Sequence, residues 1–307
     1  MNRVCVMGSI NMDMVLKVDS MPKVGQTIFA NDIQKVPGGK GANQAVAAQK
    51  SGAQVYVIGK VGNDENGNAL IKELLNYGVN TAYVSKEENK PTGVAIITVN
   101  NQGDNSIIVV SGCNMDILNN DIDSSEDIIS KSDILVSQFE IPMKTIERGF
   151  KIAKKYNKIT VLNPSPVLEI SDGIIQNTDI IIPNEVEIYA FTKIHVNNLK
   201  SAAEAGKLFI DRGVKAVIIT LGEIGAALIT EHKQELIPAY KVQAIDTTAA
   251  GDSFLGALVS KIDIEHVSFE NLKDAVVFGN QVSSITVQRK GAQPSIPYLK
   301  EVKEIYK

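Results

Sequence analysis

Apolar residues fall into two alternating kinds of run along the 307-residue chain. Short unbroken runs occur at Val55-Tyr56-Val57-Ile58-Gly59, Ile134–Val136, Ile159–Leu162, Ile180–Ile182 (ended by Pro183) and Ala216–Leu221. Their length and β-branched content suit strands buried on both faces. Stretches with helical spacing lie between them. Asn66–Tyr77 places Leu70, Leu74 and Leu75 on one face and Gly78 just beyond its end. Met143–Tyr156 follows, and then Ser201–Arg212, which Ser201 caps with Glu204 three residues on. The alternation predicts an α/β fold: a mostly parallel sheet with helices on both faces.

Two stretches, 14–36 and 92–110, break the rhythm. Val94–Val99 and Ser106–Val110 flank the turn-forming Asn100-Asn101-Gln102-Gly103, a hairpin pattern. Such strands are either a peripheral hairpin or a small sheet that covers a site. No repeat and no Pro/Gly/Ser-rich linker divides the chain, so residues 1–307 are expected to form a single domain carrying this β appendage.

Charge and cysteine content narrow the partners. Thirty-one Lys and Arg against 35 Asp and Glu give a net charge of −4 with no basic block, which argues against nucleic acid as the main partner. No apolar run approaches the ~18 residues of a membrane span, and Met1–Gly8 reads as a strand rather than a signal peptide. Cys5 and Cys113 have no metal-ligand spacing, so a reducing, cytoplasmic location is expected. The three histidines, His195, His232 and His266, stand in no catalytic spacing and read as surface residues. Chemistry near neutral pH would therefore rest on a carboxylate.

Five segments could carry that chemistry. In Asp246-Thr247-Thr248-Ala249-Ala250-Gly251-Asp252, small residues precede an apolar helical face of Leu255, Leu258, Val259 and Ile262. Uncovered amides at the tip of that helix would make an anion site. Asp252 beside it could take a proton from a hydroxyl attacking a phosphoryl group, or merely complement the helix dipole. Pro37–Ala45 places Gly38-Gly39-Lys40-Gly41 before a helix start that bears Lys40 and Asn43. It matches neither GxxxxGK[ST] nor GxGxxG, and could also be a packing turn.

Gly8–Asp13 follows the first strand, where open α/β sheets bind ligands. Asn11 and Asp13, two apart, could face one side and bind vicinal hydroxyls, or form a simple Asx turn. Thr220-Leu221-Gly222-Glu223-Ile224-Gly225 offers a turn on which a flat ring could lie, or a tight link between strands. Pro183-Asn184-Glu185-Val186-Glu187 offers a helix cap or acids for a hydrated Mg²⁺.

Taken together and in this order, these segments resemble the ribokinase/phosphofructokinase-B-type carbohydrate kinase family. The likeness runs from Val4 through Pro297 and includes Arg289-Lys290-Gly291-Ala292-Gln293-Pro294-Ser295. It implies a three-layer α/β/α, Rossmann-like fold with a small β-sheet lid, a homodimer formed through the lids, and ATP-dependent transfer to O5 of D-ribose. It implies substrate contacts from Asn11, Met12, Asp13, Gly39, Lys40, Gly41, Ala42, Asn43 and Glu140. Asp252 would be the general base, with Ala249, Ala250, Gly251 and Asp252 as anion hole. ATP would lie among Asn184, Thr220, Leu221, Gly222, Glu223, Ile224, Gly225, Gly251, Asp252 and Asn280. Glu187 would hold Mg²⁺ through water.

The likeness also implies an activating K⁺ beside Asp246, Thr248, Thr286, Arg289, Gly291 and Ser295. Two departures stand out. Asn280 occupies a position where family members often have histidine near the adenine, and Ala249-Ala250 replaces the commoner Gly-Ala. Kinases for 2-deoxyribose, fructose or adenosine are the competing readings. Aromatic residues are only 5% of the chain and Trp is absent, which counts against a nucleoside acceptor. A sugar sensor without catalysis would be expected to lose Asp252 or Gly251, and both are present.

Overall fold

The computed structural model describes residues 1–307. Its strands are β1 (Arg3–Met7), β2 (Asn11–Lys17), β3 (Asp32–Gly38), β4 (Gln54–Gly62), β5 (Asn80–Glu87), β6 (Gly93–Val99) and β7 (Asn105–Val110). They continue as β8 (Ile134–Gln138), β9 (Ile159–Asn163), β10 (Ile180–Ile181), β11 (Ala216–Thr220), β12 (Gly225–Thr230) and β13 (Gln234–Pro238). Nine of them form one sheet in the order β13-β12-β11-β10-β9-β8-β1-β4-β5, and β12 alone runs against the others.

Alternation along the buried strands covers both faces. Val4 and Val6 of β1 enter one core of 39 buried residues, and Cys5 and Met7 enter another of 29 on the opposite face. This period of two is what a parallel sheet sandwiched between helices requires.

The stretches that broke the helical rhythm form a second sheet, ordered β3-β2-β6-β7. Strand β2 follows β1 through Gly8-Ser9-Ile10, so the small sheet springs from the carboxyl end of the large one. Its edge strand β7 exposes all six residues, including Ile107, Ile108, Val109 and Val110.

Two local expectations need correction. Leu75 is 56% exposed while Leu70 and Leu74 are buried. Five residues turn a helix well past the stripe set by an i, i+4 pair, so Leu75 points outward. The Leu199–Ile210 helix starts two residues before Ser201, and its cap is Asn198. Ser201 is the third residue of that capping box, where its own backbone N–H donates to Asn198 Oδ1 (3.0 Å). Met12, flanked by Asn11 and Asp13, points the opposite way and joins the core, as does Ala42. Neither of these two side chains reaches a polar pocket.

Candidate active site

The carboxyl ends of β1, β8, β9, β10 and β11 bring Ser9, Glu140, Asn163, Asn184 and Thr220 to one end of the large sheet. Two helices aim their N-termini there: Lys40–Lys50 and Ala250–Lys261. A cavity of about 220 Å³ lies between them, lined by Lys40, Asn163, Asn184, Glu187, Thr220 and Asp252 among others. A larger cleft of about 1010 Å³ opens at the opposite ends of β9–β11, among Lys207, Lys215, Lys233 and Glu231. Its buried carboxylate, Asp179, is already paired with Lys154 and Lys215. Its size alone marks no chemistry.

Glycine lets the first helix begin where it does. Gly39 has φ +88°, and a Cβ there would stand 2.7 Å from the Asn11 nitrogen. At Gly41 a Cβ would stand 2.6 Å from the Gly8 carbonyl carbon. The loop is therefore pressed against the β1–β2 turn, with Gly38 against Asp13 and Gly39 against Asn11. Glu140 Oε2 accepts from Ser9 Oγ (2.5 Å) and from the Lys40 backbone N–H (3.3 Å), closing this side of the site.

The second helix tip carries Asp252. Ala249 takes the left-handed conformation at φ 59°, and the helix starts at Ala250. The Ala250 amide donates to the Thr247 carbonyl (3.1 Å), so one of the four expected anion-hole amides is spent in the turn. The Gly251 and Asp252 amides donate to no main-chain carbonyl, as first-turn N–H groups should. A Cβ on Gly251 would meet nothing within 4 Å, so the tip opens onto free space.

Asp252 is only 8% exposed. Its Oδ2 accepts from Asn43 Nδ2 (3.1 Å) and its Oδ1 from Gln44 Nε2 (3.0 Å).

Charge is concentrated around these groups. Burial, then the neighbouring Glu140 and Asp252 carboxylates, push the Asp13 carboxyl up to about 7. Burial disfavours the Lys40 ammonium, but Asp252, Glu140 and Glu187 outweigh it and hold its pKa above the ordinary value. Burial also raises Glu187, against hydrogen bonds from the Asn184 backbone and Ser165. One ammonium thus faces three carboxylates, which suits a polyanion only if cations arrive with it.

The remaining expected residues are placed as follows. Asn11 Oδ1 accepts from Asn114 Nδ2 (2.7 Å). Asn184 and Glu187 form a reciprocal capping box, and Asn184 also bridges to Thr220. The Leu221–Gly225 segment is a tight turn from β11 to β12, with Leu221 buried and Glu223 and Ile224 exposed. Asn280 is buried and donates to the Ile237 and Pro238 carbonyls (3.3 and 3.1 Å), so its N–H groups tie down β13.

Asp246 gathers two loops, accepting from the backbone N–H groups of Thr248 (2.9 Å) and Gly291 (2.9 Å). Those hydrogen bonds outweigh its burial and hold its carboxyl below the ordinary value. Thr286 and Ser295 use their hydroxyls on the Val282 and Ala292 carbonyls, and Arg289 pairs with Glu301. All three histidines are exposed.

Sequence reasoning missed Gln44, Asn114, Asn163, Gln138 and Gln293. The first stands beside Asn43 in the glycine-rich segment, which was a usable signal. Gln293 lies in the Arg289–Ser295 segment that carries the likeness, and the other three lie in segments with no motif, where only the fold brings them in.

The description pfkB family carbohydrate kinase matches residues 1–299. A ribokinase of Staphylococcus aureus is 41% identical over 305 residues, covering 99% of each chain. A deoxyribokinase of Salmonella typhimurium is 34% identical, covering 98% of this chain and 97% of that one. The structure of Arabidopsis thaliana ribokinase complexed with ribose and ATP superposes with a TM-score of 0.91 at 32% identity, covering 100% and 99%.

Proposed function

This chain belongs to the pfkB family of carbohydrate kinases, and from that premise we propose that it transfers the terminal phosphoryl group of ATP to O5 of D-ribose, giving ribose 5-phosphate. The observation that carries the reading is the Asp252 carboxylate, buried and doubly held, beside the uncommitted Gly251 and Asp252 amides. Asp252 takes the proton from the sugar hydroxyl as it attacks. The amides meet the charge spread over the transferred group's oxygens, at a fixed position that needs no reorganisation. Likeness to the Staphylococcus aureus ribokinase, and to the Arabidopsis thaliana ribokinase that holds ribose and ATP, supports the choice of acceptor and donor.

On the sugar side, Asn11, Asp13, Lys40, Glu140 and the remaining N–H of Asn43 offer donors and acceptors, with the Gly39 backbone packed beneath them. Asn184, the Thr220–Gly225 turn and Gly251 border the nucleotide. Asn280 supports that border through β13. Magnesium supplies neutralisation of the phosphates when bound. Glu187, which lines the cavity beside Asn184 and Asp252, would hold it through water.

A potassium site fits the 246–248 and 286–295 loops. Asp246 gathers them, while the Thr248, Arg289 and Gly291 carbonyls accept no main-chain N–H. A cation there would fix the loop that leads into the anion hole.

The apolar outer edge of the lid supports a homodimer through the lids. No helix is long and apolar enough to cross a membrane. The two cysteines are free thiols, which supports a cytoplasmic reading.

The test is ADP release with ribose, 2-deoxyribose, fructose and adenosine. Ribose should give the highest kcat/KM, and a clear preference for any other acceptor would replace the reading. The second reading, 2-deoxyribose, is favoured by the likeness to the Salmonella typhimurium deoxyribokinase. The paired polar groups Asn11 and Asp13 argue for an acceptor with the 2-hydroxyl, because a buried group left unpaired costs about 1–3 kcal/mol.

A further inference from the structure

Two chains of amide side chains radiate from Asp252 into the core. On one side Gln44 Nε2 donates to Asp252 Oδ1 (3.0 Å) and to Asn163 Oδ1 (3.2 Å), and Gln44 Oε1 accepts from Gln138 Nε2 (2.6 Å). On the other, Asn43 Nδ2 donates to Asp252 Oδ2 (3.1 Å), and Asn43 Oδ1 accepts from Gln293 Nε2 (3.2 Å). The Gln293 carbonyl is itself anchored by Lys50 Nζ (2.9 Å). Gln138 and Gln293 are 0% and 1% exposed. Their outer oxygens, Gln138 Oε1 and Gln293 Oε1, are buried and accept from no group in the chain.

The polarity of these chains has one source. An ionised carboxylate can only accept. Gln44 and Asn43 must therefore turn their nitrogens to Asp252, which leaves their oxygens pointing away. Gln138 and Gln293 must then turn their nitrogens inward, and their own oxygens end without donors. Reversing any member would set two acceptors face to face. Buried polar groups are nearly always satisfied, so two orphans at matching ends of two relays need an explanation.

We propose that Gln44, Gln138 and Gln293 are positioning residues whose amide relays, oriented by the charge on Asp252, hold that carboxylate aimed at the reacting hydroxyl. The two relays occupy one lone pair on each oxygen and leave the others for the sugar. The stability lost at the two orphan oxygens is exchanged for a fixed base. The inference rests on Asp252 acting as the general base.

The test is a kinetic cycle with near-isosteric Gln→Met variants. Gln44→Met lowers kcat on the order of 10²-fold, the usual cost of a misplaced reacting group, while KM for ribose stays within about threefold. Gln138→Met, which touches Gln44 and not Asp252, also lowers kcat, but adds nothing in the Gln44→Met background. Gln293→Met repeats the test on the other relay. Additive losses, or single variants with kcat near that of the wild type, overturn the relay and leave the kinase reading standing.

A melting cycle decides the case if kinetics fail. Gln44→Glu lowers the melting temperature, and Asp252→Asn shrinks that loss by roughly 5 °C or more, because an amide at 252 can donate to the new carboxylate. Equal losses in both backgrounds overturn the relay. A wild type that does not turn over ribose overturns the functional reading instead, and the melts still judge the relay.

Discussion

Asn43 Nδ2 stands 3.1 Å from Asp252 Oδ2, joining the tips of two helices that lie 209 residues apart in sequence. The glycine-rich loop before Lys40 and the small-residue loop before Asp252 are therefore two halves of one device. Asn43 is bound to Asp252 on one side and to Gln293 on the other. Its second amide hydrogen and the second lone pair of its Oδ1 stay free for a ligand.

Asp252→Asn tests the base directly. The substitution keeps shape and burial but removes the proton acceptor. Turnover should fall on the order of 10²–10⁴-fold, the usual worth of a general base, while ribose still protects the protein against thermal unfolding. Turnover within threefold of the wild type would remove Asp252 from the mechanism.

Much of this site was legible in the chain because its backbone needs are local. Gly39 and Gly41 are required by close approach to the β1–β2 turn, and the small residues at 249–251 leave the helix tip open. Such needs write themselves into sequence as motifs. The sheet and its two-faced core were equally legible, since unbroken apolar runs of strand length serve little else. Gln138 and Asn163 were not legible, because an amide at a strand end becomes part of a site only through contacts with distant segments. The start of the Leu199–Ile210 helix was misplaced because Asn198 and Ser201 are both competent caps and differ only in register.

The Asp246 bridge predicts a dependence on monovalent cations. Turnover should be faster in potassium than in sodium, because an ion seated between the loops would order the approach to the anion hole. Asp246→Ala should abolish the difference and lower kcat, since the Thr248 and Gly291 N–H groups lose their common acceptor. Equal rates in potassium, in sodium and with neither ion would rule out an activating site.

Strand β7 predicts the assembly. A fully exposed edge strand bearing four adjacent apolar residues invites pairing with another chain. Ile108, 62% exposed, stands near the middle of that run. Ile108→Lys should convert a dimer into a monomer in sedimentation velocity, with melting temperature at low protein concentration little changed. A wild-type chain that sediments as a monomer at micromolar concentration would dismiss the lid as an interface.

Asp13 predicts how stability and sugar binding change with pH. Its carboxyl is raised from an ordinary 3.8 to about 7 by burial and by the Glu140 and Asp252 carboxylates. A raised acid favours the folded state while it holds its proton. Its stabilising contribution is complete below the ordinary value and is lost as pH rises through about 7. Asp13→Asn keeps a neutral side chain at every pH, so the variant's melting temperature should exceed that of the wild type by a margin that grows between pH 4 and pH 8. Ribose binding should run the other way. Sugar hydroxyls donate more strongly to a carboxylate than to a carboxylic acid, so ribose affinity in the wild type should rise across neutral pH and stay flat in the variant. Melting and affinity curves that remain parallel for the two proteins over that range would show that Asp13 does not titrate there.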